Sequence, residues 1–387
     1  MNHSKKLLAA ILSLSMATAL VGTGIAPALQ SISEYFQDAP ALWIQMIVSL
    51  PSLLMVLVAI PFSAISNRLS MRDICVIGLV LYTIGGLWGA VADDIYTMMF
   101  TRVVIGAGSG LLMPMSVGLL SYFFDREEQH RLNGYIVILT SVISILSMVL
   151  VGYLADLSWR LVFLVYLFGI PCIWLSWRYI PKTVLKSPKN RVSVHLLRQI
   201  WAYAIGIFVM MILYFAMLNN CSTIATSEGT VGAAHIGAVM SIQTVTSLLT
   251  GVYMEKLKRL FGRYTKIAIW VLAFVGMAAL CVPNSFPALV AGLAIFGVAL
   301  AMAVGMFNSQ ACIVCDKEES LSAMSVMSFT RCLGQFGSPV VLAGLQLACG
   351  SQAVRFPYYA GAVMAVLMLL MFLPVHFVPG QVAAEAN

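Results

Sequence analysis

A chain of 387 residues that is 61% hydrophobic and only 10% charged holds more apolar side chains than a water-soluble core can bury. This excludes a soluble globular protein and indicates an integral membrane one. The net charge of +7 argues against nucleic acid as a partner, because the basic residues sit in short runs between long apolar segments rather than along one stripe.

The first apolar run follows Lys5 and Lys6 and reaches Ala26-Pro27-Ala28, a pattern that superficially matches a secretory signal. It is long enough to span a bilayer, and eleven further runs follow, so it reads as a retained helix. Windows of about 20 apolar residues place spans near 7–29, 41–62, 73–91, 95–119, 134–155 and 161–180, then 199–219, 234–254, 266–284, 287–308, 320–346 and 357–378. An all-α membrane protein with twelve transmembrane helices is expected.

The charges test that count independently. Of the 22 basic residues, all but four fall in segments that alternate spans place on the side of the N-terminus. Arg160 and Arg355 lie opposite, and Arg102 and Arg331 lie within spans. This bias is the positive-inside rule, so both termini are expected in the cytoplasm, with the chain crossing the plasma (inner) membrane many times. The basic stretch from Pro181 to Arg198 also carries Pro188 and reads as a cytoplasmic linker at 181–198. It divides an N-terminal six-helix bundle, 1–180, from a C-terminal one, 199–387. A faint repeat agrees: Ser63-Ala-Ile-Ser-Asn67-Arg68 follows the second span and Gly251-Val-Tyr-Met-Glu255-Lys256 follows the eighth, 188 residues on.

Arg102 stands inside the fourth span, followed by Gly106 and Gly110 at helical spacings of four. A guanidinium near mid-bilayer costs roughly 2.5–3.5 kcal/mol on insertion scales, so it is a functional candidate by default, and the glycines permit close helix packing. Ser328, Arg331, Gln335 and Ser338 form a polar stripe in the eleventh span, with Arg331 about 16 Å deep at 1.5 Å per residue. Gln45 with Ser49, and Gln243 with Ser247, mark the second and eighth spans, since a primary amide left unpaired in lipid is costly. Tyr214, Asn219, Asn220 and Asn308 add hydrogen-bonding groups to the seventh and tenth.

All fifteen Asp and Glu residues can be assigned to loops or span ends, so the candidate proton carriers are Glu34 and Asp38 at the outer end of the first helix, Asp156 at the turn between the fifth and sixth, and His235 near the outer end of the eighth. The two deep arginines lack a matching acid, which an anionic substrate would supply. Cys312-Ile-Val-Cys315 has no second ligand pair nearby, and no ATP-binding or zinc-binding motif is present. No metal, cofactor or enzymatic activity is expected.

Four motifs carry a family resemblance. Ser63-Ala-Ile65-Ser-Asn67-Arg68-Leu-Ser70-Met-Arg72 keeps the spacing of the loop Gly-x-Leu-Ala-Asp-Arg-x-Gly-Arg-Arg of the major facilitator superfamily. Arg102-x-x-x-Gly106-x-Gly108 resembles the fourth-helix pattern of its drug efflux members, and Gly152-Tyr-Leu-Ala-Asp156-Leu-Ser-Trp159-Arg160-Leu-Val-Phe163 resembles a widespread junction between helices five and six. Arg331-Cys-Leu-Gly334-Gln335-x-Gly337 is similar to a run late in superfamily efflux proteins. The antiporter signature Gly-Pro-x-x-Gly-Gly, which would fall on residues 147–152, is essentially absent.

The resemblance implies a secondary transporter in the major facilitator fold, exporting small amphipathic or drug-like compounds, with the proton as candidate coupling ion, lipid around it and no second subunit. It implies coupling and gating by Arg102, Gly106, Gly110, Asn67, Arg68, Arg72, Asp125, Glu34 and Asp38, where Arg68 and Arg72 would pair with Asp125 as a latch that holds the outward-facing state. Substrate contacts would come from Arg331, Gln335, Ser328, Gln45, Gln243, Tyr214 and Asn308. A carrier of a specific organic anion, sugar or other metabolite is the alternative, and a non-transporting membrane sensor a remoter one.

Overall fold

The computed structural model describes residues 2–184, 193–315, 319–351 and 353–374; part of the expected linker, 185–192, and the end of the expected twelfth span lie outside them. Twelve principal helices follow in chain order: α1 (Asn2–Thr23), α2 (Ala41–Ala59), α3 (Met71–Trp88), α4 (Ile95–Phe123), α5 (Arg126–Leu157), α6 (Gly169–Tyr179), α7 (Val194–Ser227), α8 (Ala233–Val252), α9 (Thr265–Leu280), α10 (Phe286–Val314), α11 (Ser320–Cys349) and α12 (Phe356–Phe372). Helix α6 is preceded by ten residues of 3-10 helix, Trp159–Phe168. The described β-structure is one isolated bridge between Ser70 and Val184.

Ten helical runs are long and apolar enough to cross a membrane, or eleven if one bent pair is a single span. The twelve helices fall where the twelve spans are expected, and the two outside this count, α9 and α12, are the short runs among the described residues. Helix α9 has 16 residues, which rise about 24 Å against a hydrocarbon thickness of about 30 Å. The preceding helix Met254–Phe261 meets it at 106° and so cannot extend it. Helix α12 has 17 described residues.

Two ends of the molecule are distinguished below. The linker end holds the start of α3, the ends of α4 and α6 and the start of α7. The distal end holds Pro27, the starts of α2, α4 and α8, and the ends of α3, α5, α7 and α9. Each turn is fixed locally. Asp94 caps α4 by accepting from the Thr97 N–H at 2.8 Å and its hydroxyl at 2.6 Å, and those bonds hold its carboxyl below the usual range. Ser193 caps α7 through the Leu196 N–H at 3.0 Å and donates to Glu319 beside α11.

Glycines set the closest helix contacts. A Cβ on Gly106 would lie 2.7 Å from Leu54 Cβ and from the Pro51 carbonyl, and one on Gly110 2.8 Å from Val58 Cβ, so this face of α4 lies directly on α2. Gly108 faces the other way, where a Cβ would come 2.6 Å from the Gly78 carbonyl of α3. The spacing seen in the sequence is a packing surface on two sides.

Two arginines fasten the distal end. Arg160 donates to the Ala90 carbonyl and to Asp93, each at 2.8 Å, and to the Tyr35 hydroxyl at 3.2 Å. Arg355 donates to Glu228 from Nε at 2.7 Å and again from Nη2, and its Nη1 donates to the Leu280 carbonyl. Asn284, at a left-handed φ of 49°, turns its N–H toward Glu228 at 3.4 Å.

Candidate functional site

Arg102 is fully buried, and the 3-10 geometry of Trp159–Phe168 explains how it is enclosed. Residues three apart eclipse in such a helix, so Phe163 and Tyr166 stand in one column. The guanidinium lies 5.0 Å from the Phe163 ring centroid and 5.8 Å from that of Tyr166. Its Nη1 donates to the Tyr166 hydroxyl at 3.4 Å and its Nε to Thr101 Oγ1 at 3.1 Å. Gly89 leaves the room: a Cβ there would come 2.6 Å from Arg102 Nη2 and 2.7 Å from Phe163. Buried Nη2 has no partner. Arg102 is thus sealed among α3, α4 and the 3-10 helix of its own half, seven residues from the start of α4.

The other polar residues meet in a seam between the halves of the chain. Gln45, Ser49 and Ser52 recur at i, i+4 and i+7, which places them on one face of α2. Gln45 Nε2 donates to Asn220 Oδ1 at 2.9 Å, Asn219 Nδ2 donates to Ser49 Oγ at 3.0 Å, and Ser52 Oγ donates to Gln335 Oε1 at 2.8 Å. At the distal extreme, Ser222 Oγ donates to the Pro27 carbonyl at 2.6 Å. Nearby, α5 crosses α8 at two bare glycines, where a Cβ on Gly237 would fall 1.9 Å from the Met148 carbonyl and one on Gly152 2.8 Å from the Gly237 nitrogen. These contacts run from the distal end to mid-helix. Beyond them Leu57 of α2, Ile60 just after it, and Met324 and Phe329 of α11 are exposed, as are Val340 and Leu347 nearer the distal end of α11.

Arg331 lies one turn on the linker side of Gln335, on the same face of α11. It is half-buried, its Nε is buried without a hydrogen-bond partner, and among the described residues it has no ionic one. Ser338 Oγ donates to the Ile212 carbonyl at 2.8 Å, and a Cβ on Gly334 would meet the Phe208 carbonyl at 2.5 Å, so this face abuts α7. Gln243 is placed elsewhere: its Nε2 donates to Ser247 at 3.1 Å, and Ser247 donates to the Gly297 carbonyl at 2.8 Å, binding α8 to α10. Tyr214 is buried beside Phe215, ring centroids 5.3 Å apart. Ser328 and Asn308 are half-buried without a described partner. Ser52, Thr101 and Tyr166 escaped the sequence reading, and Phe163 was read only as part of a family junction; the signals were the i+7 continuation from Gln45 and the three-residue spacing from Phe163 to Tyr166.

Over residues 11–339 the sequence matches the Major Facilitator Superfamily. The chain belongs to that family. It is 25% identical over 194 residues to YebQ, an uncharacterized transporter of Escherichia coli, covering 49% of this chain and 41% of that one. It is 28% identical over 145 residues to a methylenomycin A resistance protein of Streptomyces coelicolor, covering 37% and 30%. The matched segments thus span less than half of either relative. In fold it is similar to a bacterial homologue of the human lysosomal transporter Spinster, solved in an inward-facing and occupied conformation, with a TM-score of 0.77, 15% identity and 96% of each chain covered.

The superfamily loop after α2 does not form the expected latch. Asn67 and Arg68 are exposed, Asp125 is exposed and caps α5 without a side-chain bond, and Arg72 Nε is buried but unpaired. Among the described residues neither arginine pairs with Asp125. The loop is held instead through its backbone, where the Met71 N–H donates to the Thr183 carbonyl at 2.8 Å. Glu34 is exposed and accepts from Gln30 at 2.8 Å, and Asp38 is exposed at the distal end.

Proposed function

We propose that this member of the Major Facilitator Superfamily is a secondary transporter that works by alternating access and exports small amphipathic or drug-like compounds. Residues 1–180 and 199–387 move as two six-helix bodies joined by the linker, and the linker end faces the cytoplasm, where the basic residues crowd. The carrying observation is the seam. Its hydrogen bonds and glycine crossing join the two halves from the distal end to mid-helix, where a carrier needs contacts that one half can break and remake against the other.

Similarity to a protein named for methylenomycin A resistance favours outward transport of a drug-like cargo, and the 23 methionines supply adaptable apolar surface for it. Glu34 and Asp38, wet at the distal end, are the carboxylates available for proton exchange.

The test is expression in an efflux-deficient bacterial host against a panel of amphipathic toxic compounds, with uptake into inside-out vesicles. At least one compound should show several-fold higher tolerance and accumulate in the vesicles. Unchanged tolerance and uptake across the panel, with the protein present in the membrane, would overturn the reading.

A further inference from the structure

Resting on the carrier reading above, we propose that the cargo carries an anionic group, a carboxylate or sulfonate on an apolar skeleton. Arg331 receives that group between the halves, one helical turn on the linker side of the Ser52–Gln335 bond.

The chain holds two arginines within its spans and no Asp or Glu in α1, α2, α4, α7, α8, α10 or α11. The fold treats the two arginines differently. Arg102 is shared among Thr101, Tyr166 and two aromatic faces and is fully buried. Arg331 has no such partners, and its Nε is buried. The nearest acid along its own helix, Glu319, precedes α11 and is about 18 Å away along the axis. A cation in that setting is costly unless an opposite charge arrives, and the planar fork of a guanidinium matches the two oxygens of an oxyanion.

A second donor stands beside it. Gln335 accepts from Ser52 through Oε1, while its Nε2 has only the Met211 thioether at 3.9 Å, a weak acceptor. Arg331 and Gln335 are neighbours at i, i+4, on the face of α11 that meets α2 through Ser52 and α7 through Ser338 and Gly334. The antiparallel register that sets Ser52 opposite Gln335 puts the buried Val56 level with Arg331, and Met211 lines the other side. Two unmatched donors over apolar walls select an amphipathic anion. Because Gln335 also holds the last cross-half hydrogen bond named above, a cargo drawing on its amide acts on the seam directly.

The test uses full-length protein in phosphatidylcholine nanodiscs, titrated calorimetrically with naphthalene-2-sulfonate and with uncharged naphthalene-2-sulfonamide. The wild type should bind the sulfonate more tightly. Arg331→Gln should weaken sulfonate binding by about tenfold or more and leave the sulfonamide unchanged, which also reports an intact fold. Arg331→Lys should recover part of the loss. Equal sulfonate affinity in wild type and Arg331→Gln, or failure of the sulfonate to bind, overturns the assignment. Displacement of the sulfonate by added phosphatidylglycerol would make a lipid headgroup the occupant and overturn it as well. Flux in proteoliposomes separates the two ideas: a protein that moves the sulfonamide and ignores the sulfonate is a carrier without an anion site, whereas Arg331-dependent sulfonate binding with no flux of either keeps the site and removes the carrier.

Discussion

At the distal end each half of the chain begins its last helical span with an arginine that reaches a carbonyl at or just past the end of its third principal helix, and an acid beyond. Arg160 joins Ala90 and Asp93 in the first half; Arg355 joins Leu280 and Glu228 in the second. The geometry is shared, but the surroundings are not. Arg160 and Asp93 keep 35% and 81% of their side-chain exposure, against 13% and 20% for Arg355 and Glu228. Water and salt screen the first pair to at most about 1 kcal/mol, whereas the second is shielded enough that losing one partner strands a charge. The same fastening is therefore a tether in one half and a structural joint in the other.

The sharpest way to break this comparison is Glu228→Gln. It leaves Arg355 without its counter-charge and should lower stability by about 2 kcal/mol, less than a fully buried pair because both groups retain some water. Thermal unfolding in detergent or nanodiscs measures it.

Acid titration gives the next largest effect. Arg355, followed by the Asn284 N–H, holds the Glu228 carboxyl below the ordinary range. Its contribution is complete above the unfolded-state value of about 4.3 and declines as pH falls through the depressed native value. Wild type should lose stability across that acid window relative to Glu228→Gln; parallel curves would remove the distinction. Asp93→Asn should have the smallest effect, under about 0.5 kcal/mol, and a loss matching that of Glu228→Gln would mean that exposure does not separate the two halves.

The sequence reading reached as far as local periodicity carries. The spans, the glycine face of α4 and the polar face beginning at Gln45 and Ser49 all repeat at helical spacing, and each is visible in the fold. The partners were not legible, because they are set by tertiary geometry: Asn219 is 170 residues from Ser49, Gln335 is 283 from Ser52, and Tyr166 is 64 from Arg102. Composition marked Arg102 and Arg331 as equals. Only the aromatic column of the 3-10 helix, with the gap at Gly89, separates a packed arginine from an unpartnered one. Spacing around Arg68 and Arg72 likewise places charges near the linker end without fixing what they face, and among the described residues neither pairs with Asp125.

The meeting of Gly152 with Gly237 has a mechanical consequence. Two helices that touch through bare backbone have no teeth to mesh, so the angle between them can change while their axes stay equally far apart. Interlocked side chains would resist rolling and would force the rods to separate first. The α5–α8 crossing thus has the shape of a bearing, and any methyl group added at Gly237 turns it into a wedge.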